Sequence, residues 1–148
     1  MNTLPVGLVG VGLMGHGIAL NIARRGYALT VLEHPGNQPL DELRALGVDT
    51  AESVQALVRR VKVLILCVTG SPEVEAVLLG EQGALAALRP GTVVIDCSTA
   101  IPVSTEAVAR AVAQAGGRFL DAPMTRTPRE AAEGRLNLLV GGDADLLQ

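Results

Sequence analysis

Aromatic side chains are almost absent from this chain, with one Phe, one Tyr and no Trp in 148 residues. Clusters of basic residues are missing as well. The net charge is −3, and the arginines stand singly or in pairs, as at Arg24-Arg25 and Arg59-Arg60. A nucleic-acid surface needs clustered cations and, for single strands, stacking rings, so no nucleic-acid partner is expected. No apolar run approaches the roughly 20 residues of a membrane span, and no membrane partner is expected either. The opening MNTLPVGLVG carries no basic leader and runs straight into a strand-like stretch, so it does not read as a signal peptide. Cysteine is scarce. Cys67 and Cys97 each lie in or at the end of an apolar run, where a thiol behaves as a small hydrophobe. No Cys/His spacing fits a metal site, and the cytoplasm is the expected compartment.

What fills the chain instead is Ala, Val, Leu and Gly. Small and β-branched side chains suit thin helical layers packed on a parallel sheet. Short apolar runs alternate with helical segments. Strands are expected at residues 6–9, 27–32, 61–68, 92–96, 118–121 and 136–140. Helices are expected at 13–25, 40–46, 52–60, 72–79, 83–88 and 102–115. Glycines stop several of them: Gly26, Gly47 and the pair Gly116-Gly117. Strands separated by helices of about 8 to 15 residues imply right-handed βαβ units. The fold class is therefore α/β, a doubly wound, mostly parallel sheet of the Rossmann type.

The strongest motif is Gly10-Val11-Gly12-Leu13-Met14-Gly15. It follows the first strand and opens the first helix, the context in which a glycine-rich turn cradles a pyrophosphate. Gly10 makes the tight turn. Gly12 lacks the Cβ that would keep the phosphates from the backbone, and Gly15 lets the helix approach the strand. Free N–H groups at the helix start then face the phosphate charge. Glu33 ends the second strand, 18 residues beyond Gly15. A carboxylate there accepts from the ribose hydroxyls and repels a 2′-phosphate. No arginine follows Glu33 within the next ten residues. NAD is the expected cofactor, with NADP the less favoured alternative.

These residues resemble a known family. The run GLVGVGLMGHGIALNIARRGY, residues 7–27, is similar to the N-terminal fingerprint of the β-hydroxyacid dehydrogenases. Asp96-Cys97-Ser98-Thr99-Ala100-Ile101-Pro102 resembles that family's D-x-S-T-x-x-P segment. Asp121-Ala122-Pro123-Met124 and the stretch from Glu133 to Gly142 resemble the part that leads out of its nucleotide domain. The resemblance implies that Leu13 and Met14 lie against the pyrophosphate and nicotinamide, and that Val68 and Thr69 line the adenosine-ribose side. Thr69 departs from the family's usual Leu-Pro. By the same resemblance Thr99 approaches the nicotinamide and Ser98 faces the substrate. The residues agree, since hydroxyls just past a strand's carboxyl end lie where open α/β sheets bind ligands. Their alternative role is as a helix cap before Pro102.

Thr125, Arg126 and Thr127 stand where many family members carry Ser-Gly-Gly. The guanidinium fork and two hydroxyls imply a small, strongly anionic substrate head, carboxylate or sulfonate. The alternative is an ion pair of Arg126 with Glu130.

Carbonyl reduction also needs a proton donor, which the family supplies from a lysine just after this domain. The one lysine here, Lys62, starts a strand at the end opposite the expected ligand edge, so no catalytic residue is assigned in this chain. Residues 143–148 read as the opening turn of a helix. An all-helical catalytic and dimerising domain is expected beyond them, and homo-oligomers are expected only with it. This part alone is expected to be inactive. Imine reductases and 6-phosphogluconate-type dehydrogenases remain alternatives, as does a stand-alone nucleotide-binding module without catalysis.

Overall fold

The computed structural model describes residues 2–148. Six strands, β1 (Asn2–Val9), β2 (Tyr27–Leu32), β3 (Asp49–Ala51), β4 (Val63–Leu66), β5 (Val93–Asp96) and β6 (Arg118–Asp121), form one parallel sheet. Their order is β3-β2-β1-β4-β5-β6. The chain winds outward in one direction from β1 and then in the other from β4. The carboxyl ends of β1 and β4 therefore flank the crevice where such sheets bind ligands.

The apolar alternation of the strands divides the core in two. Leu64 and Leu66 of β4 point to one face with Val94, Leu57, Val58, Leu78 and Val108. Val63 and Ile65 point to the other, beside Leu8, Val31, Leu20 and Leu43. Helices α1 (Leu13–Arg24) and α2 (Asp41–Ala45) cover the second face. Helices α3 (Val54–Val58), α4 (Ser71–Leu79) and α5 (Pro102–Gln114) cover the first. Ser53 caps α3, its Oγ accepting from the Ala56 N–H at 3.1 Å.

Several elements differ from the sequence expectation. Strand β3 was not anticipated. Its three residues, Asp49-Thr50-Ala51, carry little apolar signal, and an edge strand needs only backbone pairing with residues 30–32 of β2. Residues 84–87 form a 3-10 turn, and the helix expected at 52–60 contracts to α3. The strand expected at 136–140 does not join the parallel sheet as a full member. It is reduced to β8 (Asn137–Leu138), paired antiparallel with the unexpected β7 (Met124–Thr125). The ribbon reaches the sheet through a bridge between Asp121 and Gly141.

Between the ribbon strands lies α6 (Pro128–Ala132), started by a capping box in which Thr127 and Glu130 each bond the other's backbone. It docks on α1 through small residues. A Cβ on Gly17 would lie 2.6 Å from the Ala132 nitrogen, so only glycine permits this approach. The Asn21 amide then donates to the carbonyls of Gly17 (2.9 Å), Ala131 (2.9 Å) and Ala132 (3.1 Å).

Asn21→Ala is expected to cost about 1 to 2 kcal/mol in urea unfolding, because it leaves carbonyls of α6 without their donor. Asn21→Asp is expected to cost more, since a carboxylate only accepts and would face three carbonyl oxygens. If the Asp variant proves as stable as the Ala variant, this clamp is not what holds α6.

Candidate functional site

The carboxyl ends of β1, β2, β4 and β5 border an elongated cavity of about 640 Å³. Its floor is the turn from Gly10 to Gly15. Gly10 has φ +98°, and a Cβ there would sit 2.0 Å from the Cys67 carbonyl oxygen. A Cβ on Gly15 would sit 1.8 Å from the Gly10 carbonyl oxygen. These two glycines are fixed by backbone against backbone. Gly12 differs: a Cβ there would meet nothing within 4 Å. Its missing side chain leaves open space in the cavity, directly before α1. Gly12 is the N-cap of α1 and has no side-chain cap bond. The first-turn N–H groups and the positive end of the helix dipole are therefore left to whatever fills that space.

The loop after β2 braces this turn from the side. The Asn37 Oδ1 accepts from the Val11 N–H at 3.4 Å, and its Nδ2 donates to the Leu32 carbonyl at 2.9 Å. The Gln38 N–H donates to the Val11 carbonyl at 2.7 Å. Asn37 went unnoticed in the sequence. Its only signal is its place in a Pro-Gly-Asn turn.

On the far side the loops after β4 and β5 are tied together. Ser98 Oγ accepts from the Val68 N–H at 3.0 Å, and the Ser98 N–H donates to Asp96 Oδ1 at 2.9 Å. Asp96 is wholly buried, and its Oδ2 has no partner. Burial raises its pKa above the usual carboxylate range. Asp121 on the neighbouring strand is raised too, by burial and then by the charge of Asp96. Burial pushes the Cys67 thiol up to about 11 and the Cys97 thiol up to about 12. Both cysteines act as small packing groups rather than nucleophiles.

Gly10, Gly12, Leu13, Met14, Gly15, Val68, Thr69, Ser98 and Thr99 all line this one cavity. Leu32, Val68, Ala76 and Val77 are apolar members of its lining. Glu73, Ala76 and Val77 of α4 were missed, because nothing along that helix marks which side chains face the cavity. Ser98 is only 2% exposed, so it braces the two loops more than it faces outward. Neither Ser98 nor Thr99 caps α5, whose N-cap is Ile101. Glu33 lies just outside, in an adjoining recess of about 570 Å³ that shares His34 and Asn37 with the main cavity.

Thr125, Arg126 and Thr127 do not line the cavity; of their ribbon only Met124 does. Thr125 is paired in β7, and Thr127 belongs to the capping box. Arg126 has φ +80° and donates to the Arg135 carbonyl at 2.8 Å. The carboxylate suggested as its partner, Glu130, is bonded to Thr127 instead. Lys62 is exposed at the amino end of β4, across the sheet from the cavity. Among the described residues no cluster of metal-ligating side chains occurs, and no helix is long and apolar enough to cross a membrane.

A glycine turn before an uncapped helix start, at the carboxyl edge of a doubly wound parallel sheet, with a carboxylate beyond the second strand, makes this a dinucleotide-binding domain of the Rossmann type. Residues 5–148 match the family described as the NAD binding domain of 6-phosphogluconate dehydrogenase, and the chain belongs to that family. The chain is 36% identical over 140 residues to 2-hydroxy-3-oxopropionate reductase of Escherichia coli strain K12, covering 95% of this chain and 47% of that protein. The structure of Mycobacterium tuberculosis 3-hydroxyisobutyrate dehydrogenase with L-serine superposes with a TM-score of 0.88 at 27% identity, covering 99% of this chain and 49% of that one. Psf3 in complex with NADP+ and 2-OPP superposes at 0.85 with 30% identity, covering 95% of this chain and 50% of that one. The chain spans about half the length of the curated relatives it matches. The similarity to the nucleotide domain of the β-hydroxyacid dehydrogenases runs through nearly all of it.

The raised pKa of Asp96 gives a pH signature. Its charged form is disfavoured in the fold. The resulting cost is absent below the unfolded value of about 4 and grows as pH rises through the folded value. Asp96→Asn is therefore expected to gain more in melting temperature, relative to the natural chain, at pH 8 than at pH 4. A difference that is flat across this range would mean that Asp96 is not a buried charge.

Proposed function

We propose that this domain binds NAD and serves an oxidoreductase that moves a hydride between the cofactor and a small β-hydroxyacid or its semialdehyde. The observation that carries the reading is the open space at Gly12, between two glycines that the backbone itself requires. The pyrophosphate would lie there, on the first-turn amides of α1. Leu32, Val68, Ala76 and Val77 would hold the adenine, and Glu33 would accept from the ribose hydroxyls. Thr99, Ser98 and Met124 would hold the nicotinamide. The hydride is the nicotinamide's to give or take.

The substrate class is inferred from the names of the relatives above, a reductase of 2-hydroxy-3-oxopropionate and a dehydrogenase of 3-hydroxyisobutyrate. An anionic head fits both. Arg126 holds such a head only if its guanidinium leaves the Arg135 carbonyl. The carbonyl oxygen, which takes up a proton on reduction, needs a donor, and Lys62 lies at the amino end of β4, across the sheet from the cavity. We therefore assign the donor, and any homo-oligomer contact, to residues beyond this chain. The two free thiols fit a reducing compartment such as the cytoplasm.

Gly12→Val tests the central point. A Cβ there meets nothing within 4 Å, so the melting temperature is expected to stay within about 2 °C of the natural chain. It fills the phosphate space, so calorimetric affinity for NAD is expected to fall at least ~10-fold. Equal NAD affinity in both proteins would remove the assignment. The 148-residue chain, mixed with NADH and a small semialdehyde, is expected to show no hydride transfer above background. Measurable oxidation of NADH would place the proton donor within it.

A further inference from the structure

Two aspartates end neighbouring strands side by side. Asp96 closes β5, Asp121 closes β6, and the two are register partners in the parallel sheet. Partners on adjacent strands lie about 5 Å apart and project to the same face. That face is the one of Val94 and Phe119. Asp96 is wholly buried there. Its Oδ1 accepts from the Ser98 N–H at 2.9 Å, and its Oδ2 has no partner.

Neither carboxyl takes part in an ion pair among the described residues. Arg118, at the other end of β6, is held by Asp143 and Asp145. From α4 and α5 the core receives Val74, Leu78, Val108 and Val112, while Glu73, Glu75, Glu106 and Arg110 of these helices are exposed. The other titratable groups that feel the two aspartates are the thiols of Cys67 and Cys97, which stay protonated at neutral pH. Two ionised carboxylates in such a place repel, and both only accept. One retained proton removes a charge and supplies the donor that the orphaned oxygen lacks. The raised pKa values of both groups agree with this.

The backbone of each aspartate runs directly into the cavity wall. Ser98 and Thr99 follow Asp96, Met124 follows Asp121 by three residues, and all three line the cavity. The Ala122 N–H donates to the Asp96 carbonyl at 2.8 Å and joins the two exits. Asp121 is tied in turn to Gly141, its N–H donating at 2.9 Å and its carbonyl accepting at 2.7 Å.

Building on the dinucleotide reading above, we propose that Asp96 and Asp121 hold one proton between their carboxyls, and that this proton positions the loops after β5 and β6 against the cofactor. The pair acts through Ser98, Thr99 and Met124 and does not itself line the cavity. Loss of the proton at high pH sets two negative charges next to each other, presses the ends of β5 and β6 apart and loosens that wall.

The test is a carboxyl-carbon NMR titration of the 148-residue chain with labelled aspartate, between about pH 3 and pH 9, on the natural protein, Asp96→Asn and Asp121→Asn. Two resonances are expected to titrate together in two steps, the later one above the usual carboxylate range. In each Asn variant the amide replaces the proton as donor, so the remaining carboxyl is expected to show one step, nearer its ordinary value. Two independent single steps in the natural chain, or an Asp96 step that Asp121→Asn leaves unmoved, overturns the shared proton. Calorimetry then reads the positioning role. NAD affinity of the natural chain is expected to fall about fivefold from pH ~6 to pH ~9, and that of Asp121→Asn by less than twofold. The same fall in both proteins, or no fall in either, overturns the positioning role. Failure to bind NAD at any pH overturns the dinucleotide reading, whereas the NMR steps report on the proton alone. Melting temperatures of the variants at pH ~6 close to that of the natural chain exclude unfolding as the cause.

Discussion

The contact on which the rest depends is backbone against backbone at the first turn. Gly15 lies so close to the Gly10 carbonyl, and Gly10 to the Cys67 carbonyl, that neither position has room for a single carbon. This interlock fixes α1 at one distance and one angle from the ends of β1 and β4. Everything useful about the site follows from it. The helix start is left uncapped, its dipole points into the crevice, and Gly12 keeps the path to the amides clear. Hydrogen bonds from Asn37 and Gln38 then hold the turn from the side facing β2.

Around that fixed point the cavity lining is mixed. Leu32, Val68, Ala76 and Val77 are apolar, Glu73 and His34 are not, and His34 and Asn37 are shared with a charged recess. Ser98 and Thr99 also line it, and Ser98 is bonded to a buried carboxyl at Asp96 whose second oxygen is unpaired. A buried acid of this kind costs stability as a charge. It is retained where it fixes the Ser98 backbone and so joins the loops after β4 and β5. The protein gives up some stability at high pH to keep the edge of the site rigid.

The sequence was most informative where backbone geometry restricts residue type. The glycine turn, the strand β4 and the helix α1 could be read because few residues satisfy those positions. The residues after β4 and β5 that line the cavity, Val68, Thr69, Ser98 and Thr99, were placed by family resemblance. Contacts made by folding back over short distances were not legible. β3 is three residues of weak signal at a sheet edge, held by pairing alone. Arg44 meets Glu33 only because a five-residue helix turns between them, and no count along the chain predicts that. Arg126 was placed by resemblance. Its actual partner is a main-chain carbonyl, which leaves no trace in side-chain composition.

One consequence of the α1–α6 clamp concerns length. The same rod carries the phosphate-facing amides at its first turn and Asn21 more than two turns later. Adding or removing one residue between them would rotate the second feature by about 100° relative to the first. The ribbon that brings Met124 to the cavity would then lose its seat on α1. The spacing from Gly12 to Asn21 is a ruler between the glycine turn and the seat of α6.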